Sequence, residues 1–223
     1  DRTFKQRNSF VGLKGSMGTI FLGKHDTATK KSQKKIDLFN DLAGDIKNIL
    51  QGENRMSDLV GYTTPKINGF SATFNAIKGT EGLGDDSIGD STSTSFSYDS
   101  ENFYIALAFD SELKGYDSTR LTLQIPFNRS QLGIMFQDSE KLSTGVEEDG
   151  YVISFSQKVG DKGTLKFQQA ESDMKLDSGK QFSFGYDYKL SNKAKAFFFF
   201  TDLSGDNTSK EKEITGIGFE YKF

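Results

Sequence analysis

The stretch TATKKSQKKIDLFNDLAGDIKNILQGENRMS, residues Thr27–Ser57, is the longest segment of the chain that neither alternates like a β-strand nor ends quickly like a turn. A connection of about thirty residues between two strands is far longer than usual, and such loops are usually functional or disordered. Its apolar residues recur at helix-like spacing, which predicts a short amphipathic helix that packs on another surface. They are Ile36, Phe39, Leu42, Ala43, Ile46, Ile49 and Leu50. We therefore expect this segment to fold into the mouth of a large barrel and to narrow it.

The composition of the chain favours a single all-β domain. A length of 223 residues suits one such domain, and 21 Phe against 2 Pro suit many long strands joined by tight turns. No apolar run approaches the ~20 residues that a membrane helix needs, which excludes a helical membrane protein. A membrane β-barrel stays possible, because its strands alternate apolar and polar residues.

Several function classes are excluded or unsupported. The absence of cysteine removes disulfides and thiolate metal sites, and a net charge of -3 argues against a nucleic-acid binder. The single histidine, His25, has no recognisable triad partner, so we predict neither an enzyme nor a cofactor. Asp85, Asp86 and Asp90 could contact a hard cation, but their spacing does not match a calcium loop, and we predict no metal site.

After residue 57 the chain reads as repeated hairpins, and about thirteen strands of roughly ten residues can be counted over the whole chain, two of them before the loop. Ten residues tilted by ~45° rise about 24 Å, close to the apolar band of an outer-membrane barrel. The connections alternate between short ones, such as 128–130, and long ones, such as 111–119 and 138–150. That alternation is typical of transmembrane barrels, which have short turns at one end and long loops at the other.

A soluble β-sandwich or a lipocalin-like barrel also alternates apolar and polar residues. In a small closed barrel, the polar face would leave unpaired groups that cost ~1–3 kcal/mol each, whereas a wide water-filled lumen removes that cost. The polar-face residues are Arg120, Gln124, Gln137, Lys158, Lys166, Gln168 and Glu220. We therefore predict an all-β, transmembrane up-and-down antiparallel β-barrel, with a soluble β-sandwich binding protein as the less favoured alternative.

Several short motifs resemble the Gram-negative general diffusion porins, a family of trimeric sixteen-stranded barrels of the bacterial outer membrane. They are Arg7–Gly15 (RNSFVGLKG), Gly18–Ile20 with Leu22–Lys24, Arg55 seven residues before Tyr62, Thr64-Pro65 and Gly69-Phe70. The final residues Phe219, Tyr221 and Phe223 resemble the signal that the barrel-assembly machinery reads. Family members carry three strands before the one that begins near Arg7. The resemblance therefore implies a single porin domain, residues 1–223, that lacks the first three of sixteen strands.

The resemblance also implies a function and its partners. The protein would be a channel for passive diffusion of small hydrophilic solutes and ions, a homotrimer in the outer membrane of a Gram-negative bacterium. It would contact outer-membrane lipids and lipopolysaccharide, and the barrel-assembly machinery during biogenesis. A structural or adhesive barrel whose outer loops bind a partner is the alternative function.

By the same resemblance, residues 27–57 form the constriction loop, with acidic groups that face a basic wall. Opposed charges across a narrow aqueous gap create a transverse field that orients polar solutes and sets ion preference. The acidic candidates are Asp37, Asp41, Asp45 and Glu53, and the basic candidates are Arg7, Lys24 and Arg55. Of the acids, Asp41 and Asp45 are favoured, and replacing both with Asn should lower any cation preference.

Two further features of the sequence bear on this wall. Phe21 and Gly61 occupy positions where many relatives carry arginine, which argues against a strongly basic wall. We interpret the lysine run as an exposed or lipopolysaccharide-facing face rather than a selectivity element; it comprises Lys30, Lys31, Lys34 and Lys35.

Overall fold

The computed structural model describes residues 7–78, 87–176, 178–206 and 211–222, which contain one antiparallel sheet of thirteen strands. Each strand pairs with its neighbours in chain order, so the topology is a continuous up-and-down meander. The strands are β1 (Ser9–Gly15), β2 (Gly18–Asp26), β3 (Arg55–Thr63), β4 (Phe70–Lys78), β5 (Ile88–Asp99), β6 (Tyr104–Leu113), β7 (Tyr116–Phe127), β8 (Ser130–Lys141), β9 (Val146–Val159), β10 (Gly163–Ser172), β11 (Gly179–Lys189), β12 (Ala194–Ser204) and β13 (Lys212–Tyr221).

All thirteen predicted strands are present, but two predicted long connections are not. The segment 111–119 is mostly strand, because β6 ends at Leu113 and β7 begins at Tyr116. The segment 138–150 shrinks to residues 142–145 for the same reason. Their charged residues continue the ladder, with Asp117 opposite Glu140 in the β7–β8 register. The strands extend beyond the apolar band, where charged side chains can remain in water.

The two faces of the sheet differ as the alternation predicts. On the outer face, Leu121 of β7 lies opposite Phe136 of β8, and these side chains are 42% and 55% exposed. One residue away on the same strands, Arg120 and Gln137 face inward and are buried. A sheet that exposes large apolar side chains on its outer face and buries polar ones on its inner face suits contact of the outer face with the acyl chains of a membrane.

The sequence predicted a helix over the apolar residues of the loop, and the position of this helix was wrong. Helix α1 spans Ala28–Ser32, and a single 3-10 turn spans Ile46–Asn48. Between them the chain follows irregular turns, with Asp41 at φ 64°. The apolar side chains are nevertheless fully buried at Ile36, Phe39, Ile46, Ile49 and Leu50. Among the described residues, no helix is long and apolar enough to cross a membrane.

The loop, residues 27–54, lies inside the curve of the sheet. The Ala28 amide donates to Asn75 of β4 (2.7 Å), and the Leu38 amide donates to Gln168 of β10 (2.8 Å). Asn48 donates to Gln181 of β11 at 3.1 Å. Eight adjacent strands laid flat would span roughly 34 Å at ~4.8 Å per strand. One compact loop reaches from β4 to β11, so the sheet must curve around it.

Glycines in the wall make room for the apolar side chains of the loop. A Cβ atom at Gly185 of β11 would lie 2.8 Å from Cε1 of Phe39. A Cβ atom at Gly150 of β9 would lie 2.7 Å from Cδ2 of Leu50. Since real Cβ contacts are essentially never that short, the backbone of the loop can approach the wall this closely only because both residues are glycine.

At the two ends of the described sheet, β1 and β13 each pair with a single strand, so the sheet is not closed within the described residues. Phe219 and Tyr221 of β13 face outward and are 62% and 50% exposed. Phe223 lies outside the described residues, and the assembly signal stays a prediction.

Candidate functional site

A fully buried arginine fastens the loop to the wall. Arg120 of β7 donates through Nη1 to Oε1 of Glu53 (2.8 Å) and through Nη2 to the Gln51 carbonyl (2.8 Å). Its Nε donates to Oε1 of Gln137 on β8 at 2.7 Å. The Arg120 side chain is 0% exposed and that of Glu53 is 3% exposed. Glu53, predicted to face the pore, is therefore buried against the wall, where it anchors the end of the loop.

Asp45 is also buried, contrary to its predicted place at the water-filled gap. Its carboxylate caps the 3-10 turn by accepting from the Lys47 amide (2.9 Å), and it accepts from the Asp41 amide (3.1 Å). Lys47 Nζ lies 2.9 Å from the same carboxylate. An acidic side chain that satisfies backbone N–H groups in this way shapes a turn. Asp45 therefore fixes the path of the loop.

Asp37 has a similar role. Its two carboxylate oxygens accept from the Phe39 amide (3.0 Å) and the Ile46 amide (3.4 Å), so it ties together two parts of the loop that are nine residues apart. Burial, together with the neighbouring Asp45 carboxylate, raises the pKa of Asp37 to about 7. At neutral pH this carboxyl group is therefore close to half protonated.

The raised pKa predicts how docking of the loop depends on pH. In an undocked loop, Asp37 would ionise near pH ~3.9, so between pH ~4 and 7 only the docked form keeps the proton. The free energy of loop docking is thus most favourable below pH ~4, becomes less favourable as the pH rises to 7, and does not change further above pH 7. We expect an infrared band of a protonated carboxyl group to titrate near pH 7 and to vanish in Asp37→Asn. A midpoint near the ordinary Asp value would contradict this.

Basic side chains line a cavity of about 670 Å³ beside α1. Its charged lining consists of Arg7, Lys30, Lys31, Lys34, Arg55 and Asp26. Asp41, the exposed member of the predicted acids, joins this group because its carboxylate lies 3.0 Å from Nη2 of Arg7. The structure thus brings together two predicted basic residues and one predicted acid.

Ion pairs offset part of this positive charge. Asp26 pairs with Arg55 at 2.9 Å and with Lys30 at 3.6 Å. Asp99 pairs with Lys34 at 2.7 Å. Within the described ranges Lys31 forms no ion pair, and its Nζ lies 5.9 Å from the centre of the Phe21 ring. The five cations that line the cavity therefore stand against three carboxylates, those of Asp26, Asp41 and Asp99, which leaves at least two positive charges in excess, because Asp99 also pairs with Lys66 at 3.2 Å.

Two expectations about the basic residues need correction. Lys24 does not line the cavity, because strand alternation places it with Leu22 on the face of β2 opposite to Phe21. The lysine run is not simply a face turned towards lipopolysaccharide, because three of its four members border the cavity, namely Lys30, Lys31 and Lys34. Helix α1 buries Ala28, Thr29 and Ser32 and so turns Lys30 and Lys31 towards the cavity.

Aromatic packing fills the part of the wall formed by Phe21 and Gly61, as the expectation of a weakly basic wall there implies. Phe21 is 4% exposed, and its ring covers Gly61 of β3, where a Cβ would collide with it. The ring of His25 lies 4.6 Å from those of both Phe10 and Phe21. His25 is therefore part of a packed aromatic group.

The key partners of Arg120 could not be found from the sequence. Arg120 is recognisable as a polar residue of the inner face, but Glu53, Gln51 and Thr29 lie 67 to 91 residues away along the chain. Asp26 gives no signal beyond its place at the end of a strand.

The structure adds no support for a cation site at the acidic loop. In the described ranges, no group of three or more metal-ligating side chains could hold an ion. Asp90 accepts from the Ser87 amide (2.8 Å) within its own turn. Asp85 and Asp86 lie outside the described residues.

Comparison with known proteins gives the family. No curated protein sequence matches the chain. Among solved structures, the anion-selective porin from Comamonas acidovorans is 22% identical, with a TM-score of 0.76 over 97% of this chain and 78% of that chain. A loop-deletion mutant of OmpT from Vibrio cholerae is 14% identical, with a TM-score of 0.73 over 96% of this chain and 79% of that chain. A mutant of the porin from Rh. blastica is 15% identical, with a TM-score of 0.67 over 96% of this chain and 76% of that chain.

These likenesses show that the fold is that of a porin barrel. The model of the Gram-negative porin family matches residues 1–208, which is most of the sequence. The motifs near Arg7 and Arg55, the meander of strands and the inward loop agree with this match. The chain therefore belongs to the Gram-negative porin family and is an outer-membrane diffusion channel.

Proposed function

We propose that this channel is passive, without catalysis, and that it prefers small anions over cations. The observation that carries this proposal is the excess of positive charge around the cavity beside α1. Lys31 is the centre of that excess, since it is free of carboxylate partners in the described part of the chain, whereas Arg7 and Arg55 are paired with Asp41 and Asp26. Charge of one sign in a cleft with low-dielectric walls attracts counter-ions and raises their local concentration.

The acids favoured from the sequence do not oppose this preference. Asp45 is 3% exposed and neutralised by Lys47, and Asp41 is bound to Arg7. The expected loss of cation preference on replacing Asp41 and Asp45 with Asn therefore loses its basis. One of the similar structures is an anion-selective porin, which agrees with the proposed preference.

The proposed assembly is a homotrimer in the outer membrane, with lipids and lipopolysaccharide around its apolar outer face and with the barrel-assembly machinery as partner during biogenesis. One similar structure is OmpT of Vibrio cholerae in a trimer form, which supports this number of subunits. The exposed aromatic and aliphatic side chains of the outer face, such as Leu121 and Phe136, suit acyl chains.

Reconstitution of the native protein in planar bilayers tests this function. Stepwise channels should form in KCl, and in a salt gradient the zero-current potential should have the sign of a channel that passes chloride more readily than potassium. Absence of stepwise channels would favour the adhesive alternative. A potential of the opposite sign would overturn the anion preference and leave the diffusion pore intact.

A further inference from the structure

A second group of lysines surrounds a cavity of about 230 Å³ between the 160–162 and 190–193 turns. This cavity shares no lining residue with the one beside α1. Its charged lining comprises five lysines and two carboxylates: Lys162, Lys189, Lys193, Lys195, Lys222, Asp187 and Glu220. Thr164, Ser191 and Asn192 add side-chain hydrogen-bond donors.

The cavity lies on the inner face of the sheet. Asp187 is paired with Lys166 of β10 at 3.1 Å, and Nζ of Lys166 donates to the Leu38 carbonyl of the loop at 3.0 Å. Since the loop is inside the curve of the sheet, Asp187 and its neighbours also face inward. The cavity is therefore at the short-turn mouth of the channel rather than on the lipid-facing side.

Its two carboxylates are already engaged by other lysines. Lys195 Nζ lies 3.1 Å from Asp187 and 3.4 Å from Glu220, and Lys222 lies 3.6 Å from Glu220. By contrast, Lys162, Lys189 and Lys193 have no carboxylate partner among the residues described. The Nζ atom of Lys162 lies 6.0 Å from the centre of the Tyr188 ring.

Backbone hydrogen bonds hold these lysines together in spite of their mutual repulsion. The Lys189 amide donates to the Lys162 carbonyl, and the Lys222 amide donates to the Lys193 carbonyl, both at 2.8 Å. Ser191 Oγ accepts from the Lys193 amide at 3.2 Å, which fixes the second turn. Three uncompensated positive charges are thus kept close together by the hairpin geometry.

We propose that this cavity, the lysine mouth, binds small polyvalent oxyanions of the phosphate class as they pass through the channel. The proposal rests on the proposed function, because it places the ligand in the lumen. A lysine ammonium group acts as a point charge and, unlike the guanidinium of arginine, does not match a fixed oxyanion geometry. Recognition at the lysine mouth therefore depends on the charge of the anion, and phosphate and sulfate of equal charge bind alike.

The experiment measures block of the KCl current by inorganic phosphate in planar bilayers. Added phosphate should reduce the current through the native channel, whereas added KCl that raises the ionic strength equally should not. In the variant Lys162→Gln/Lys189→Gln/Lys193→Gln, the half-blocking concentration should rise about tenfold, because three unit charges near the anion are lost. These lysines are exposed and have no carboxylate partner among the described residues, so the variant should still insert and form channels, and the block is measured as a fraction of each protein's own KCl current.

A matched variant replaces three exposed lysines that line neither cavity, Lys14→Gln/Lys141→Gln/Lys212→Gln, and should keep the native phosphate block. Equal block in all three proteins, or no block in any, would overturn the lysine mouth. The zero-current potential in the same recordings reports the proposed anion preference separately. Repeating the phosphate titration in neutral and in anionic lipid shows whether the lysines bind a free solute or lipid headgroups. Equal block in both lipids supports a free solute. Loss of block in anionic lipid would assign the lysines to lipid headgroups and overturn the luminal site.

Discussion

Replacing Arg120 with Met is expected to release the loop from the wall and to raise the single-channel conductance. The change leaves the Glu53 carboxylate buried without its cation, and removing one partner of a buried ion pair typically costs about 3–5 kcal/mol. The Gln51 carbonyl also loses its donor. An undocked loop no longer occupies the lumen, so the open area increases. Conductance in KCl and protease cleavage within residues 27–54 measure the two consequences.

Three variants separate the loss of this anchor from a general loss of stability. Arg120→Met/Glu53→Gln removes the stranded charge and should recover part of the protection from protease. Arg120→Lys keeps the positive charge but loses the fixed guanidinium geometry that serves three partners. Its conductance and protease resistance should therefore lie between those of the native protein and of Arg120→Met. Arg129→Met removes an exposed arginine that donates to the Gly160 carbonyl at a turn, and should behave like the native protein. Native conductance and native protease resistance in Arg120→Met would show that Arg120 is not the anchor.

The strands could be predicted from the sequence because their signal is local. The alternation of Leu121 with Arg120, or of Phe136 with Gln137, is set within a few residues and directly assigns each side chain to a face. Strand ends were harder, because Asp117 and Glu140 look like loop residues yet pair in the ladder. Charged residues do not end a strand whose tip is in water.

The site could be predicted only in part, because its contacts join distant segments. The resemblance to porins identified the loop and the arginines Arg7 and Arg55, which the structure places around one cavity. The resemblance could not show which acidic side chains hold the loop in shape instead of facing the pore. Asp45 and Asp41 are four residues apart and look equivalent in sequence, but a turn buries the first and exposes the second. Burial at that turn depends on a wall more than a hundred residues away, such as Gln181, which donates to the Gly44 carbonyl.

The loop thus divides its charges by function. The carboxylates of Asp37, Asp45 and Glu53 accept hydrogen bonds from backbone amides or from Arg120 and hold the shape of the loop. Its exposed lysines remain available to solutes. This division explains how a loop with several acids can present positive charge to the lumen.

Reversing the charge of two lysines that line the cavity beside α1, Lys30→Glu/Lys31→Glu, is expected to reverse the ion preference. The group of charges around the cavity would change from two positive charges in excess to two negative ones. Four unit changes of charge at roughly 8 Å in water amount to about 2 kcal/mol before screening by salt, which corresponds to a change of about 5- to 30-fold in the chloride-to-potassium permeability ratio. The zero-current potential in a KCl gradient should therefore change sign.

This variant should keep the fold of the loop. Thr27 caps α1 by accepting from the Lys30 amide, so a glutamate at position 30 completes the Thr-x-x-Glu capping box and suits the positive end of the helix dipole. Asp26 keeps its partner Arg55. The control Lys141→Glu/Lys212→Glu makes the same change of charge at exposed positions of β8 and β13 that do not line the cavity, and its potential should stay close to native. If both variants shifted the potential equally, the total charge of the protein, and not the cavity beside α1, would set the preference.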